Sequence, residues 1–219
     1  MKLKQFLLIT LLISVSSLCK AQSLSSADFR ISDQKKGIRS IELVLDNNLI
    51  VGINDEGVIS YIDTYNEDGD IEYGSSFDGK EQQGKIKSIG GLKLAYTDRF
   101  DIHDPAGRIK SIGSLPVTYY SSFDIHDPIG KIKSIGKIQF SYFNKFDIHN
   151  DFGALKSVDN IQVGYYTVFD INDPLGKVKS IGPVTIEYFN KFDINDPFGK
   201  VKSIRGNNRH IRVSTSKYL

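Results

Sequence analysis

The chain has 219 residues, of which 40% are hydrophobic and 25% are charged, with no tryptophan. Lys2, Lys4 and Lys20 lie in the first 21 residues, so a mature chain without them changes from a net charge of +2 to −1. That balance excludes nucleic acid or an anionic membrane as a partner recognised through net charge. The single cysteine, Cys19, lies in the same segment, so a mature chain would hold no disulfide.

Residues 1–21 have the pattern of a secretory signal peptide. Two lysines precede an apolar stretch over 6–15, and Cys19 and Ala21 place small residues at positions −3 and −1 of a cleavage site. The stretch is shorter than the ~20 residues of a membrane-spanning helix, and no later stretch is apolar enough to span. We therefore expect export to the periplasm, the cell surface or the medium. Lipidation of Cys19 is disfavoured because Leu18, rather than a small residue, precedes it.

Residues 22–76 form a weakly repetitive and acidic segment. Ile-Arg-Ser-Ile at 38–41 and VGINDEGVISYI at 51–62 are degenerate copies of phrases that recur later. Because repeat arrays need terminal caps, we expect an N-terminal cap here. If the protein were an enzyme, its active site would be expected among the acids of this segment. These acids include Asp55, Glu56, Asp63, Glu67, Asp68, Asp70 and Glu72.

Residues 77–204 contain six copies of a 23-residue unit. No insertion or deletion interrupts them, and residues 205–219, which lose the pattern, are expected to form a C-terminal cap. A phenylalanine, the aspartate after it, one glycine and a Lys-Ser pair are the same in all six copies. These are the residues that the unit itself requires. Units 1 to 6 begin at Phe77, Phe100, Phe123, Phe146, Phe169 and Phe192.

Each unit is expected to consist of β-strands joined by glycine turns. Asp-Pro-x-Gly, as at 127–130, predicts a type I turn followed by a left-handed glycine, and Ile-Gly-x, as at 181–183, marks a second break. The runs between them are rich in β-formers, and 138–142 alternates apolar and polar residues as a half-buried strand does. Strict alternation would place Val178 and Ile181 on opposite faces, which requires either two covered faces or a β-bulge. The predicted fold class is all-β.

Two ways of stacking the units are open. Each unit can be one β-hairpin in an elongated antiparallel meander, or one coil of a parallel β-helix. A parallel coil would stack every invariant Lys and Asp on its own copy, and like charges directly opposite destabilise a sheet. In a meander, the Phe-Asp-Ile segment would be a strand between lysine-bearing strands, with Asp124 and Asp127 facing Lys131 and Lys133. We therefore favour the meander.

The unit length and its hairpin character resemble MORN repeats, which are also short tandem β-hairpins. The tryptophan of the MORN pattern is absent, since the chain has none. The phrase FD…GKIKSIG…YY also resembles units of uncharacterised exported bacterial repeat proteins. Neither resemblance implies an activity or transfers a binding residue to this chain.

The Asp-Ile-His-Asp phrase suggests a metal site as one hypothesis. Its histidine is replaced by Asn172 and Asn195 in later units and by Lys80 in the first. This removes a transition-metal ligand, whereas Asn retains the ability to hydrogen-bond a turn. We favour a structural turn without metal or cofactor, and calcium stays open because aspartate offers oxygen ligands. The ligands would be Asp101, Asp104, Asp124, Asp127, Asp170, Asp173, Asp193 and Asp196.

The sequence favours binding over catalysis. The Lys-Ser pair could supply a base and a nucleophile, but it recurs six times and an enzyme needs one site. The strands also repeat an aromatic pair, and one member of each pair could form an exposed row that binds a partner. The tyrosines of this candidate surface are Tyr119, Tyr142, Tyr165 and Tyr188.

We therefore expect an exported, non-catalytic repeat protein that presents an extended β surface to a protein or glycan, or that has a structural role in the cell envelope. The alternative is a polysaccharide-active β-helix enzyme with acids from residues 22–76. The two differ in whether a polysaccharide is bound or turned over.

Overall fold

The computed structural model describes residues 23–45, 48–65 and 69–216. The predicted signal peptide and the question of Cys19 lipidation lie outside the described residues, as do Glu67 and Asp68. The described residues contain 17 strands and one turn of 3₁₀ helix, Ser76–Asp78. The strands are β1 Leu24–Ser32, β2 Ile38–Leu45, β3 Leu49–Asn54, β4 Ile59–Thr64, β5 Ile71–Tyr73, β6 Ile86–Ile89, β7 Leu92–Tyr96, β8 Ile109–Ile112, β9 Leu115–Tyr119, β10 Ile132–Ile135, β11 Ile138–Tyr142, β12 Leu155–Val158, β13 Ile161–Tyr165, β14 Val178–Ile181, β15 Val184–Tyr188, β16 Val201–Arg205 and β17 Ile211–Ser216.

Strands β5 to β16 form one 12-stranded sheet, which we call the array. Every strand in it pairs antiparallel with the next along the chain. Units 1 to 5 each contribute a four-residue and a five-residue strand joined by a two-residue turn, such as 136–137. One hairpin in each of units 1 to 5, followed by the single strand β16 of unit 6, confirms the antiparallel meander and excludes the parallel β-helix. The array begins at β5, which precedes Phe77. Strand β5 pairs with β6 in the same way that the second strand of unit 1, β7, pairs with the first strand of unit 2, β8.

The Phe-Asp-Ile segments lie in loops, so their assignment as strands was wrong. Twelve-residue loops connect consecutive hairpins, and each contains one such segment from units 2 to 6. Antiparallel strands reverse direction at alternate edges of a sheet. The long loops therefore lie along one edge of the array and the two-residue turns along the other. Together with 74–85, which holds Phe77 at the same position, the long loops are 97–108, 120–131, 143–154, 166–177 and 189–200.

A β-bulge resolves the conflict over strand alternation. In unit 5, Tyr165 pairs with Val178 and Gly164 with Ser180, which leaves Lys179 as the extra residue. Val178 and Ile181 consequently share one face, and both are fully buried. The same register shift occurs at the equivalent position of the other units. One face of the array is thus apolar, and the bulge directs the invariant lysine away from it.

A second, smaller sheet covers the apolar face of the array. Its strand order is β17-β1-β2-β3-β4, with β17 parallel to β1 and the other pairs antiparallel. Phe29, Leu43 and Val51 of this sheet are fully buried in one core with Ile135 and Ile181 of the array. The strands of residues 24–64 in the predicted N-terminal cap and β17 in the predicted C-terminal cap therefore form a single sheet, which also contains the two degenerate copies, whereas β5 of the N-terminal segment belongs to the array.

Lysine side chains tie the small sheet to the loops of the array. The Lys177 ammonium donates hydrogen bonds to the carbonyl oxygens of Ser32, Asp33 and Lys35 at 2.7 to 3.0 Å. Burial lowers the pKa of Lys177, and the three carbonyl groups compensate for its loss of water. Lys131 makes the equivalent contact from unit 3, at 2.9 Å from its ammonium to the carbonyl oxygen of Glu56. Within the described ranges, no helix is long and apolar enough to cross a bilayer.

Candidate binding ridge

Each unit begins with a turn that carries reciprocal capping hydrogen bonds. The residue two positions before the invariant phenylalanine is Ser, Asp, Asn or Thr, and its side-chain oxygen accepts from the phenylalanine N–H at 2.7 to 3.4 Å. The aspartate after the phenylalanine accepts from the backbone N–H of that capping residue at 2.8 to 2.9 Å. This pairing is the arrangement of a capping box, and it fixes the turn locally. The capping residues are Ser75, Asp98, Ser121, Asn144, Thr167 and Asn190.

The same aspartate also holds the invariant lysine of its unit. The distance from the lysine Nζ to the carboxylate Oδ1 is 2.5 to 3.1 Å in all six units. The bond from Lys133 and the backbone N–H of Ser121 lower the pKa of the Asp124 carboxyl group. The predicted pairing of Asp124 with Lys133 is confirmed, but Lys131 bonds the small sheet instead. Each carboxylate thus joins the start of its loop to the following strand.

The glycine near the end of each loop forms a backbone hydrogen bond with the first residue of the same loop. In unit 3 the Gly130 N–H donates to the carbonyl oxygen of Tyr120 at 2.7 Å, and the Tyr120 N–H donates to that of Lys131 at 2.9 Å. The six equivalent glycines have φ between 75° and 85°, a region that L-residues with a side chain rarely adopt. The prediction of a left-handed glycine after Asp-Pro-x is confirmed. The closed base keeps the middle of the loop projecting from the sheet edge.

The invariant phenylalanines are exposed rather than part of the core. In the six units their side chains are 69 to 98% exposed. The isoleucine two residues later is 62 to 89% exposed in units 2 to 6. A third apolar side chain, before the loop glycine, is 48 to 63% exposed in units 3 to 6. We call these side chains the Phe-Ile ridge. It comprises Phe77, Phe100, Ile102, Phe123, Ile125, Ile129, Phe146, Ile148, Phe152, Phe169, Ile171, Leu175, Phe192, Ile194 and Phe198.

Neighbouring loops of the ridge contact one another. His126 lies against Phe146 of the next unit with 4.5 Å between ring centroids, and equivalent pairs occur one unit before and after. The Lys145 ammonium donates to the carbonyl oxygen of Ile125 at 3.0 Å, and the Asn144 amide donates to Asp127 at 3.3 Å. Each unit advances by two strands, or about 9.5 Å. The ridge is therefore a row of exposed apolar side chains with a regular period, whose loops are joined by these contacts.

The tyrosines proposed as an exposed row lie in the core. Tyr119, Tyr142, Tyr165 and Tyr188 are only 3 to 9% exposed, and burial raises the pKa of each hydroxyl. Regular alternation along their strands places them on the apolar face, as Tyr142 follows the buried Ile138 and Phe140 at every second position, which corrects the candidate tyrosine surface. The exposed aromatic row is made by the phenylalanines instead. The signal that sequence reasoning missed is the capping residue two positions before each phenylalanine, which is typical of a turn and not of a strand.

The aspartates considered as calcium ligands are separated by their own partners. Asp101, Asp124, Asp170 and Asp193 bind the invariant lysines, while Asp127 and Asp173 accept from the amides of Asn144 and Asn190. Asp104 and Asp196 lie in the same turns and complete no cluster. Over 23–45, 48–65 and 69–216, no three His, Cys, Asp or Glu side chains converge as a metal site would require.

The acids of the N-terminal segment are likewise dispersed. Asp55 accepts from Arg39, and Glu72 accepts from the hydroxyl of the invariant Ser88 at 2.9 Å. The serine of other units makes similar cross-strand bonds, such as Ser157 with Ser141 at 2.6 Å. In the Lys-Ser pair, the lysine therefore forms an ion pair with the aspartate of its loop, and the serine forms a hydrogen bond across the strands.

Comparison with family models, with curated proteins and with solved structures finds no match to this chain. The resemblance to MORN repeats and to exported bacterial repeat proteins therefore stays a prediction.

Proposed function

We propose that this protein is an exported, non-catalytic binding protein whose Phe-Ile ridge holds an extended protein or glycan partner. The observation that carries the proposal is the exposure of an apolar side chain that all six units retain. Single exposed apolar residues are common, but contiguous exposed apolar patches on soluble proteins are typical of interaction sites. Because these phenylalanines are exposed, packing in the core does not explain why all six units have them.

The period of the ridge supports a linear partner. Identical rings recur about every 9.5 Å along one edge, so successive units offer the same contact to a chain with repeating groups. Aromatic side chains supply large contact area with few rotatable bonds, which lowers the entropic cost of binding. The capping bonds and the Asp-Lys pairs hold each loop in place before a partner arrives. Such preorganisation raises affinity.

The test uses a ridge variant with Phe123→Ser, Phe146→Ser and Phe169→Ser. We expect the natural protein to bind on a glycan array or an array of extended peptides, and the variant to lose at least about tenfold in affinity because aromatic anchors dominate interfaces. Since these rings are exposed, the melting temperature should stay close to that of the natural protein. The affinity for an array hit is measured by biolayer interferometry.

The matched control replaces exposed residues on the opposite, polar side of the array strands: Gln139→Ala, Gln162→Ala and Thr185→Ala. It should bind like the natural protein. Equal binding by the ridge variant would contradict the proposal, as would two blank arrays. Turnover of a polysaccharide would favour the enzyme class instead.

A further inference from the structure

The two ends of the array carry complementary halves of one hairpin. Units 1 to 5 each contain both strands of a hairpin, whereas unit 6 contributes only a first strand, β16. At the other end, β5 lies where the second strand of a preceding unit would lie, because it pairs with β6 as β7 pairs with β8. In the part of the chain that the structure describes, β5 and β16 each pair with only one strand. A strand at the edge of a sheet presents backbone N–H and C=O groups that can pair with another strand.

The apolar side of β5 is uncovered. Ile71 and Tyr73 have the positions that Leu94 and Tyr96 have one unit later, where Leu94 is buried and Tyr96 half-buried. Ile71 and Tyr73 are instead 50 and 61% exposed. The Tyr96 hydroxyl donates at 2.8 Å to the carbonyl oxygen of Ile86, in the first strand of its own hairpin. No described strand has that place beside Tyr73. A strand that completed the hairpin would cover both side chains and offer the hydroxyl an acceptor.

The loop of unit 1 shows the same lack of a preceding neighbour. Phe77 is 98% exposed, whereas the invariant phenylalanines of units 2 to 6 are 69 to 74% exposed. Later loops pack on the loop before them, as Phe123 packs on His103 with 4.4 Å between ring centroids. The last loop of the row is 189–200, which precedes β16. A junction that placed this loop of one molecule beside Phe77 of another would continue the ridge.

The hairpins within the array define the register of such a junction. In each of units 1 to 5 the serine of the first strand lies opposite the second residue of the second strand, as Ser180 lies opposite Thr185. The equivalent residues at the two ends are Ser203 of β16 and Asp70, which precedes β5. A second copy placed in this register would therefore have its Asp70 opposite Ser203.

The two edges also carry opposite charges. Asp70 and Glu72 are exposed acids at β5, and Lys202 and Arg205 are exposed bases of β16. Arg205 pairs with Glu187 at 3.5 Å, but 71% of its side chain is exposed and a guanidinium offers several further donors. In the register above, Arg205 lies diagonally across from Asp70, a separation that a long side chain spans. These charges favour pairing of β16 with β5 over pairing of β5 with a second β5.

We propose that β16 of one molecule pairs antiparallel with β5 of a second copy of this chain, so that the two strands complete a hairpin and the arrays join end to end. The contact is heterologous, because two different edges meet, and each added molecule presents a new β16 edge. Repetition of the contact builds a chain of molecules with one uninterrupted ridge. The junction does not depend on the ridge having a partner.

Disulfide trapping tests the register. One variant carries Asp70→Cys and another Ser203→Cys, and both carry Cys19→Ser, so each has a single thiol. Residues directly opposite in an antiparallel pair have Cα atoms ~4.5–5.5 Å apart, which suits a disulfide. We expect the oxidised mixture to give a linked dimer on a non-reducing gel, and neither variant alone to do so. Lys93→Cys, at the position equivalent to Asp70 within the array, is the matched control and should give no dimer with Ser203→Cys.

Sedimentation velocity tests the association without cysteines. We expect the sedimentation coefficient of the natural protein to rise with concentration. Ile71→Lys with Tyr73→Lys should weaken the association at least about tenfold, because charges that point inward protect a sheet edge. Both side chains are exposed, so the melting temperature should stay close to that of the natural protein. Ile125→Lys, at an exposed residue in the middle of the array, is the control and should associate like the natural protein.

Three results would overturn the proposal. The first is a natural protein that sediments as a monomer at every concentration, which would mean that the short strand β5 protects its own edge. The second is a mixture of Asp70→Cys and Ser203→Cys that gives no linked dimer. The third is Asp70→Cys alone giving as much dimer as the mixture, which would mean that two β5 edges pair with each other.

Discussion

At the scale of single residues, the aspartate after each phenylalanine joins the start of its loop to the following strand. It accepts from a backbone N–H and from a lysine in every unit. These bonds lower the pKa of all six carboxyl groups, and that of Asp78 falls to about 2, with the bond from Lys87 as the largest cause. A folded-state pKa below the unfolded value stabilises the protein above the unfolded pKa, and this stability is lost as pH falls through the folded pKa.

The first prediction concerns acid. We expect the urea midpoint to be nearly constant from about pH 7 to 5 and to fall between about pH 4 and 2, where the unfolded chain takes up protons first. A variant with Asp78→Asn and Asp193→Asn should be less stable at pH 7 and show a shallower acid dependence. Urea unfolding at each pH, followed by circular dichroism, measures both. Equal slopes for the two proteins would contradict the role of these carboxylates.

The second prediction contrasts two buried tyrosine hydroxyls. Tyr119→Phe should lower the free energy of unfolding by about 1 kcal/mol, because the hydroxyl bonds the carbonyl oxygen of Ile109. Tyr142→Phe should leave it unchanged or raise it by up to about 1 kcal/mol, because its hydroxyl has no partner. Chemical denaturation of the two variants and the natural protein measures the difference. A similar loss in both variants would mean that the Tyr142 hydroxyl is bonded after all.

At the scale of the elements, the two-residue turns show how the unit tolerates change. Four of the five turns between paired strands begin with glycine at φ 52° to 58°, and unit 4 has Asp159 there at φ 51°. The left-handed region is strained for residues with a Cβ, although Asp tolerates it better than most.

The third prediction follows from that turn. Asp159→Gly should raise the free energy of unfolding by several tenths of a kcal/mol, and Asp159→Val should lower it by about 1–2 kcal/mol. Both are measured by chemical denaturation. A destabilised glycine variant would indicate that the aspartate side chain contributes more than its backbone strain costs.

Comparison of the units with one another predicted much of the array. The period, the hairpin per unit, the left-handed loop glycine and the pairing of Asp124 with Lys133 all recur, so each is supported by several copies. The position of Phe123 was mistaken because β-propensity and turn capping compete, and the capping partner Ser121 varies in type among units. The tyrosines were misplaced although the alternation of Ile138, Phe140 and Tyr142 places all three on one face, which is the buried face.

At the scale of the whole molecule, internal comparison has less to offer. The contacts between the two sheets do not recur in every unit: the lysine after the loop glycine bonds the small sheet in units 3 and 5, whereas Lys85 of unit 1 bonds the carbonyl oxygen of Gly107 in the array. Comparison of the copies therefore could not predict how the small sheet packs on the array.

The fourth prediction tests this packing. Lys177→Ala should lower the free energy of unfolding by about 3 kcal/mol, because the buried lysine is lost and three backbone carbonyl groups lose a charged donor. Lys200→Ala, at the exposed equivalent position in unit 6, should change it by less than about 0.5 kcal/mol. Urea denaturation compares the two. Equal small effects would show that the small sheet is held by its apolar core alone.

The pairing of β17 with β1 has a consequence for how the gene can change. Open repeat proteins can gain or lose units by duplication, because each unit contacts only its neighbours. Here the strand after unit 6 returns to the strand before unit 1, across a small sheet of fixed width. An added unit would lengthen the array by about 9.5 Å and carry β17 away from its partner. The copy number of six is therefore constrained by the small sheet, and duplications of single units should be selected against.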